Sequence, residues 1–307
     1  MTLNASGPIS LGGTTAGQSI EIENGGNGTT QISLNDTAVR NLAGGSATAT
    51  GSVIIMPTNF YGKSNRVNVT VTISANTTNY VFNKCKIAGY SAGKTCATLK
   101  INTGVYISAT STGCKALTVP NTWTSGDVVK ITNCGFIVGK GGSGGTGGGP
   151  CAPSNGNPGA SGGTALSVSY PVSITNNNTV GGGGGGGGGG QGANQSFNWC
   201  CCGSPSGGRL NGPGGTGGTG QGLSAATAGS PGGGGSSPCS QFVSGGPGGS
   251  GGNWGATGGG GGGANSCNTN ALVRSGGAGG GGSGGPATSG NSLITWTVTG
   301  NRYGPLN

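Results

Sequence analysis

The sequence predicts a mainly β chain interrupted by a long, irregular glycine-rich block. Short runs of alternating apolar residues, separated by turn residues, recur through the first 139 residues. Glycine accounts for 79 of the 307 residues, and 59 of these glycines lie between Gly141 and Gly290, whereas a usual glycine content is about 7%. The step in glycine content predicts a domain boundary close to residue 140.

The composition argues against most enzyme classes. The chain has no His, and its four carboxylates are Glu21, Glu23, Asp36 and Asp127. Without His there is no Ser-His-Asp or Cys-His nucleophile and no His-ligated metal. Glu21 and Glu23 fall on one face of a predicted strand and cannot flank a glycosidic bond, so only Asp36 and Asp127 remain as a conceivable pair. We expect no enzymatic activity, no cofactor and no metal.

Residues 1–64 are predicted to form a small attachment module. The stretches 19–23, 31–34 and 52–56 predict strands, and residues 37–43, followed by Gly44, predict a short helix. A core of this size gives a domain little stability by itself. We therefore expect the module to dock onto another protein.

Residues 65–139 are predicted to form a β-strand module. Val67, Val69, Val71 and Ile73 alternate without a break. Further strands are predicted at 80–82, 98–101, 105–108, 128–131 and 136–138. Strands at this spacing indicate a β-sandwich or a β-solenoid instead of a parallel α/β sheet.

A weak internal repeat connects this module to the glycine-rich block. Residues 130–133 (KITN) and 173–176 (SITN) each lead into a glycine run, and residues 116–119 (ALTV) resemble residues 165–168 (ALSV). The predicted repeating unit is therefore a strand followed by a glycine run.

Two interpretations fit the glycine-rich block, residues 140–291. Gly/Ser-rich sequence is typical of disordered linkers. Alternatively, glycine segments in the polyproline-II conformation pack closely enough for the N–H groups of one to bond the C=O groups of the next. The run Gly181 to Gly190 would then span roughly 31 Å. We expect a hexagonal bundle of such segments, closed by a strand within residues 292–307, where Ile294, Trp296 and Val298 alternate.

Large side chains concentrate in the interruptions between the glycine runs. The candidate binding residues are Phe197, Trp199, Arg209, Phe242, Trp254 and Arg274. Aromatic and Arg side chains on loops held by a rigid scaffold are the usual anchors of binding. The alternative for Phe197 and Trp199 is that they cap the end of the bundle.

The cysteines predict disulfides and use outside a cell. The ten are Cys85, Cys96, Cys114, Cys134, Cys151, Cys200, Cys201, Cys202, Cys239 and Cys267. Their spacing is a weak match to zinc sites. We expect the four within 85–134 to pair among themselves and the others to connect loops. Because the first residues do not form a signal peptide, a protein made in a cytoplasm and used outside it is expected, as in a virus particle released by lysis.

Several stretches resemble proteins of tailed bacteriophages. Residues 7–11 (GPISL), 31–40 (QISLNDTAVR) and 59–64 (NFYGKS) resemble the leader of phage baseplate and tail-fibre proteins. Residues 103–108 (TGVYIS) and 133–139 (NCGFIVG) are similar to the β module that precedes glycine-rich phage tail tips. The glycine-rich block with residues 294–300 (ITWTVTG) is similar to the receptor-binding tip adhesins of T-even long tail fibres.

The resemblance implies a polyglycine-II domain whose distal loops select the host receptor. Residues 1–64 would join other phage tail, baseplate or fibre proteins, and the loops would bind a bacterial outer-surface receptor, with no nucleic acid bound and no insertion into a membrane. Attachment to a trimeric fibre and direct attachment to the baseplate both remain open. The expected location is the virion, after synthesis in the host cytoplasm.

Three other functions compete with this one. A structural baseplate or tail protein would use the glycine bundle as a rigid spacer. A glycine-rich ice-binding protein would carry regular Thr or Ala arrays. Nucleic-acid binding is the third, because the formal net charge is +9, but the sequence has no aromatic platform for stacking bases. The same positive charge would equally steer the protein onto anionic bacterial surfaces.

Overall fold

The computed structural model describes residues 2–44, 48, 52–149, 155–198, 207–236, 242–266, 272–274 and 277–307. The chain divides into two compact units. The first comprises Met1–Val69, Ile87–Ala97 and Trp123–Val128, and the second comprises Thr70–Lys86, Thr98–Thr122 and Val129–Asn307.

The first unit is built around a small apolar core. Its buried residues are Leu3, Ile9, Ile20, Val39, Leu42, Ala43 and Phe60. Helix α2 runs from Thr37 to Ala43 and ends at Gly44, whose φ of 70° suits glycine. The helix predicted at this position is confirmed. A 3-10 turn, Thr58–Phe60, buries Phe60.

The strand predicted at residues 19–23 is wrong, because Ile20–Glu23 forms helix α1. Local hydrogen bonds override the alternating pattern. The Ser19 hydroxyl accepts from the N–H of Ile22, and the Glu21 carboxylate accepts from the N–H groups of Asn27 and Gly28. The stretches 31–34 and 52–56 also lack strand structure, although Ile32, Leu34, Ile54 and Met56 do pack on the core.

Three sheets of parallel strands form a β-solenoid. The first sheet has the order β1 (Val67–Ile73), β4 (Thr95–Ile101), β7 (Val128–Asn133), β10 (Val172–Asn176) and β19 (Ile294–Val298). The second has the order β2 (Thr77–Thr78), β5 (Tyr106–Ser108), β8 (Phe136–Val138), β11 (Thr179–Gly181) and β20 (Asn301–Tyr303). The third has β3 (Tyr80–Val81), β6 (Leu117–Val119), β9 (Leu166–Val168) and β18 (Thr288–Ser289). Each of the first four rungs contributes one strand to each sheet in turn, and the last rung contributes β19 and β20 and then an isolated bridge between Leu306 and Thr288.

The internal repeat corresponds to consecutive rungs. Ser173, Ile174, Thr175 and Asn176 pair in parallel with Lys130, Ile131, Thr132 and Asn133. Likewise, Leu166–Val168 pairs with Leu117–Val119. Ile131, Ile174, Leu117 and Leu166 are buried, so the repeated apolar positions form the solenoid core. Strand β19 lies within the predicted closing segment, residues 292–307, and pairs in parallel with β10.

The glycine-rich residues are inserted into two rungs of this solenoid. Eight extended segments carry them, which we call glycine segments one to eight: 139–149, 156–163, 181–191, 213–222, 227–233, 245–252, 256–263 and 277–286. Segments one and two connect β8 to β9, and segments three to eight connect β11 to β18. Strands β9, β10 and β11 therefore lie within residues 140–291 and still belong to the sheets begun in residues 65–139.

Segment three is surrounded by six other segments. The N–H groups of residues 183–191 each donate to a neighbouring segment, and the partner changes with a period of three: the N–H groups of Gly183, Gly186 and Gly189 donate to segment two. Those of Gly184, Gly187 and Gly190 donate to segment four, and the remaining three to segment seven. Segments one, six and eight donate to segment three in return.

Close contact explains why residues 181–190 of segment three are all glycine. A Cβ atom on Gly183 would overlap the carbonyl oxygen of Lys140, on Gly184 that of Gly252, and on Gly185 that of Gly282. In segment one, by contrast, only two of every three positions face a neighbour. Lys140, Ser143 and Thr146 occupy the third position and are exposed.

Cys85, Cys96, Cys114 and Cys134 are free thiols, so the pairing predicted among these four is not formed. Cys96 belongs to the first unit and is buried. The other three lie at different corners of the solenoid: Cys85 after β3, Cys114 between β5 and β6, and Cys134 between β7 and β8. Separate corners keep their Cβ atoms from the close approach that a disulfide requires. The other six cysteines lie outside the described residues.

Candidate binding surface at the ends of the glycine segments

The direction of the glycine segments gathers their connections at two ends. Segments one, three, five and seven run in one direction, and the even-numbered segments run in the other. The connections that follow the odd-numbered segments therefore leave the bundle at one end, here called the free end. The connections that follow segments four and six lie at the opposite end, beside the solenoid strands from which the segments begin.

Two small antiparallel sheets are carried at the free end. One has the order β13 (Gly207–Gly212), β12 (Ala193–Asn198) and β17 (Leu272–Arg274), and the other has β14 (Gly234–Ser236), β15 (Phe242–Ser244) and β16 (Asn265–Ser266). Ala193, Val243 and Ala264 form a buried cluster at their base. The Gln191 Oε1 atom accepts from the N–H of Ala264 at 3.0 Å. Each sheet contains strands from two separate connections, which joins the three connections together.

Four of the six predicted binding residues belong to these two sheets. Phe197 lies in β12, Arg209 in β13, Arg274 in β17 and Phe242 in β15. In the backbone register, Arg209 is opposite Ser196, Arg274 is opposite Ala193, and Phe242 is opposite Ser236. Trp199 falls outside the described residues. The structure thus brings together residues that are up to 77 positions apart in the sequence.

Trp254 is not brought together with the others. It lies in the connection between segments six and seven, at the end opposite the free end. Its indole Nε1–H donates to the carbonyl of Gly222 at 2.8 Å, and its backbone N–H donates to Oε1 of Gln221 at 3.1 Å. The indole packs over Gly181, where a Cβ atom would come within 3.2 Å of it.

Trp254 completes a row of aromatic rings along the second solenoid sheet. Tyr106 and Phe136, paired in adjacent strands, stack with centroids 4.4 Å apart. Trp254 lies 6.2 Å from Phe136 and 6.0 Å from Tyr303. The sequence reasoning did not single out Tyr106, Phe136 or Tyr303. The signal was present, because Tyr106-Ile107 and Phe136-Ile137 repeat an aromatic–aliphatic pair at equivalent positions of successive rungs.

Neither a metal centre nor a membrane span was found in the part of the chain that the structure describes. No three His, Cys, Asp or Glu side chains cluster there as metal ligands. No described helix is long and apolar enough to cross a membrane.

One of three comparisons with known proteins identifies the family of the chain. No curated protein matches the chain significantly. One solved structure that it resembles is described as the crystal structure of the gp37-gp38 adhesin tip complex of the bacteriophage S16 long tail fiber, with 20% identity and a TM-score of 0.44 over 97% of this chain and 100% of that one. The family model described as phage tail fibre adhesin Gp38 matches residues 68–307. Because that match includes the whole glycine-rich region and most of the solenoid, the chain belongs to the Gp38 family of phage tail fibre adhesins.

Proposed function

We propose that the chain binds a receptor on the bacterial surface through the connections at the free end of the glycine segments. The observation that carries this proposal is the way in which the glycine segments hold strands β12 to β17 at the free end. Three separate connections meet in two small sheets, at the ends of segments whose backbone is hydrogen-bonded from several sides. A support of this kind limits the conformational entropy that the connections lose on binding.

The support itself is proposed to be a bundle of polyglycine-II helices. Three features favour this conformation. The hydrogen-bond partner changes every third residue, which matches a helix of three residues per turn without internal hydrogen bonds. Residues 182–190 are in neither a helix nor a strand. Among the described glycines of the eight segments, none has a positive φ, as a left-handed polyproline-II-type helix requires.

Residues 1–64 are proposed to attach the adhesin to the particle. The family match begins only at residue 68, so the preceding residues lie outside the part shared with the family model. Val53 and Ile55 in this segment are 79% and 57% exposed. Apolar side chains with that exposure favour docking onto a tail, baseplate or fibre protein.

Exchange of the free-end connections tests the receptor proposal. Residues 192–212, 234–244 and 264–276 would be replaced together by those of a Gp38-family adhesin from a phage with a different host. We expect host range to follow the exchanged connections while the variant still assembles into particles. Deletion of residues 1–64 is the matched control, since it should remove the adhesin from particles and leave binding of the purified protein to cells.

A rigid spacer is the alternative function. It predicts that the exchange leaves adsorption unchanged, and that outcome would reject receptor binding by the free end. An ice-binding role is disfavoured by the hydroxyl groups on the bundle surface, because Thr216 bonds Ser230 and Thr219 bonds Thr227 at 2.9 and 3.1 Å. Those hydroxyls satisfy one another instead of forming a free array.

A further inference from the structure

We propose that the adhesin has a second, lateral binding site for a sugar ring of a bacterial surface saccharide. The site is a recess of about 280 Å³ lined by Gln221, Asn253, Trp254 and Tyr303. It lies at the end of the glycine segments opposite the free end, so it is distinct from the proposed receptor surface. The inference rests on the proposed function in one respect, namely that the ligand is taken from the bacterial surface.

Two aromatic rings form the apolar part of the recess. The centroids of Trp254 and Tyr303 are 6.0 Å apart and their planes are inclined at 39°. Tyr303 is 43% exposed and Trp254 is half-buried. One face of a pyranose ring presents several C–H bonds and packs against an aromatic face, whose electron density is negative. Aromatic side chains open to solvent at the wall of a recess suit that contact.

The orientation of Trp254 is set before any ligand arrives. Hydrogen bonds to Gly222 and Gln221 hold its indole and backbone N–H groups. Phe136 packs behind it, and Phe136 is itself stacked on Tyr106. A ring held in this way loses little side-chain entropy on binding.

Two amide side chains supply the polar part of the recess. Asn253 is exposed, and Gln221 is half-buried. A carboxamide offers both an acceptor oxygen and an NH₂ donor, which together match the hydroxyl pairs on the rim of a sugar ring. The Gln221 oxygen already accepts from Trp254, so its NH₂ group is the part that suits a ligand.

Size and charge favour a saccharide over a protein partner. A stable protein interface buries about 800 Å² on each partner, whereas four residues line this recess. The lining contains no Lys, Arg, Asp or Glu, which disfavours phosphate or another anion as the principal group recognised. A neutral, hydroxylated ring of small volume fits these properties.

Saturation-transfer NMR on the full chain tests the proposal. The probes are methyl glycosides of glucose, galactose and N-acetylglucosamine, and the core oligosaccharide released from lipopolysaccharide of the phage host, which separates free sugars from surface glycans as the source. We expect ring C–H protons of at least one probe to be saturated. Tyr303→Ala and Asn253→Ala should each weaken binding by about tenfold or more, while Tyr303→Phe, which keeps the ring, should bind as the unaltered chain does.

Three outcomes would overturn the proposal. The first is that no probe is saturated by the unaltered chain. The second is that Tyr303→Ala and Asn253→Ala, both folded by circular dichroism, bind as before. The third is that Tyr303→Ala removes the adhesin from particles, which would make this surface a contact with another tail protein. Exchange of the free-end connections should leave sugar binding intact, so a failure of the receptor proposal is distinguishable from a failure here.

Discussion

Asn133 and Asn176 contact each other inside the solenoid, where the Nδ2 group of Asn133 donates to Oδ1 of Asn176 at 2.8 Å. Both residues are completely buried and occupy equivalent positions of consecutive rungs. Asn176 in turn donates to the carbonyls of Thr299 and Asn301 in the last rung. This ladder of amides satisfies the backbone at the corner from which the strands of the second sheet begin.

Replacing Asn176 should therefore destabilise the solenoid. Asn176→Ala removes the acceptor of one of the two hydrogen bonds of the buried Asn133 Nδ2 group and the donor to the carbonyls of Thr299 and Asn301. We expect the free energy of unfolding to fall by about 1–3 kcal/mol. Asn177→Ala is the matched control, because Asn177 is exposed, and its effect should stay within about 0.5 kcal/mol. Denaturant unfolding measures both. Equal effects for the two variants would show that the ladder contributes nothing specific.

A pair of glycine substitutions tests the packing of the segments. A Cβ atom on Gly186 would overlap the carbonyl oxygen of Ser143, whereas a Cβ atom on Gly280 meets nothing within 4 Å. Gly186→Ala should lower stability by about 1–3 kcal/mol or more. Gly280→Ala should be neutral or stabilise by up to about 1 kcal/mol, because alanine restricts the unfolded chain. Thermal unfolding would contradict this packing if Gly280→Ala were the more harmful variant.

Amide hydrogen exchange should show a period of three in the glycine-rich region. Every N–H from Gly183 to Gln191 donates to a neighbouring segment, whereas in segment one the donors to segment three are three residues apart, at Gly139, Gly142, Gly145 and Gly148. We expect continuous protection in segment three and protection of every third residue in segment one. Protection of every second residue would instead indicate β-strands.

Tyr90 should make the first unit sensitive to alkaline pH. Burial, together with the hydrogen bond from its hydroxyl to the Asp127 carboxylate at 2.6 Å, raises the pKa of Tyr90 above the ordinary value of 10.0. Because the folded state holds the proton more tightly, this contribution is fully present below pH 10 and is lost as the pH rises through the higher, folded-state pKa. Tyr90→Phe should lower the free energy of unfolding by about 1 kcal/mol at neutral pH. Above pH 10, the free energy of unfolding should fall less steeply in this variant than in the unaltered chain. If the free energy of unfolding fell equally steeply above pH 10 in both proteins, Tyr90 would not be the source of the pH dependence.

The thiols should differ in their reaction with an alkylating reagent. Cys85 is exposed, Cys114 and Cys134 are half-buried and Cys96 is buried. We expect Cys85 to be labelled fastest and Cys96 to be labelled only after unfolding. Disulfides among the other six cysteines stay a prediction, and mass spectrometry without reduction would count them. Loss of such a bridge should cost roughly 2–5 kcal/mol.

The strands of the solenoid were predictable because their signal is local. The alternation at residues 67–73 and the two short repeats indicate where the strands lie and which side chains face the core. They also indicate the register between neighbouring strands, because a one-residue slip would expose the repeated apolar side chains. The helix at residues 20–23 was mispredicted for a related reason. Its alternation was equally clear, but the Glu21 carboxylate accepts from the N–H groups of Asn27 and Gly28, which follow the stretch.

The sequence by itself determined that the chain is β-rich, that its glycine-rich block can pack without side chains, and that large residues concentrate between the glycine runs. Only the tertiary structure decided which segments are neighbours and at which end each connection lies. The physical reason is that glycine has no side chain with which to specify a partner, so any two glycine segments can form the same hydrogen bonds. Their order follows from the solenoid rungs into which they are inserted, and this order places Trp254 beside Tyr303 instead of beside Phe197.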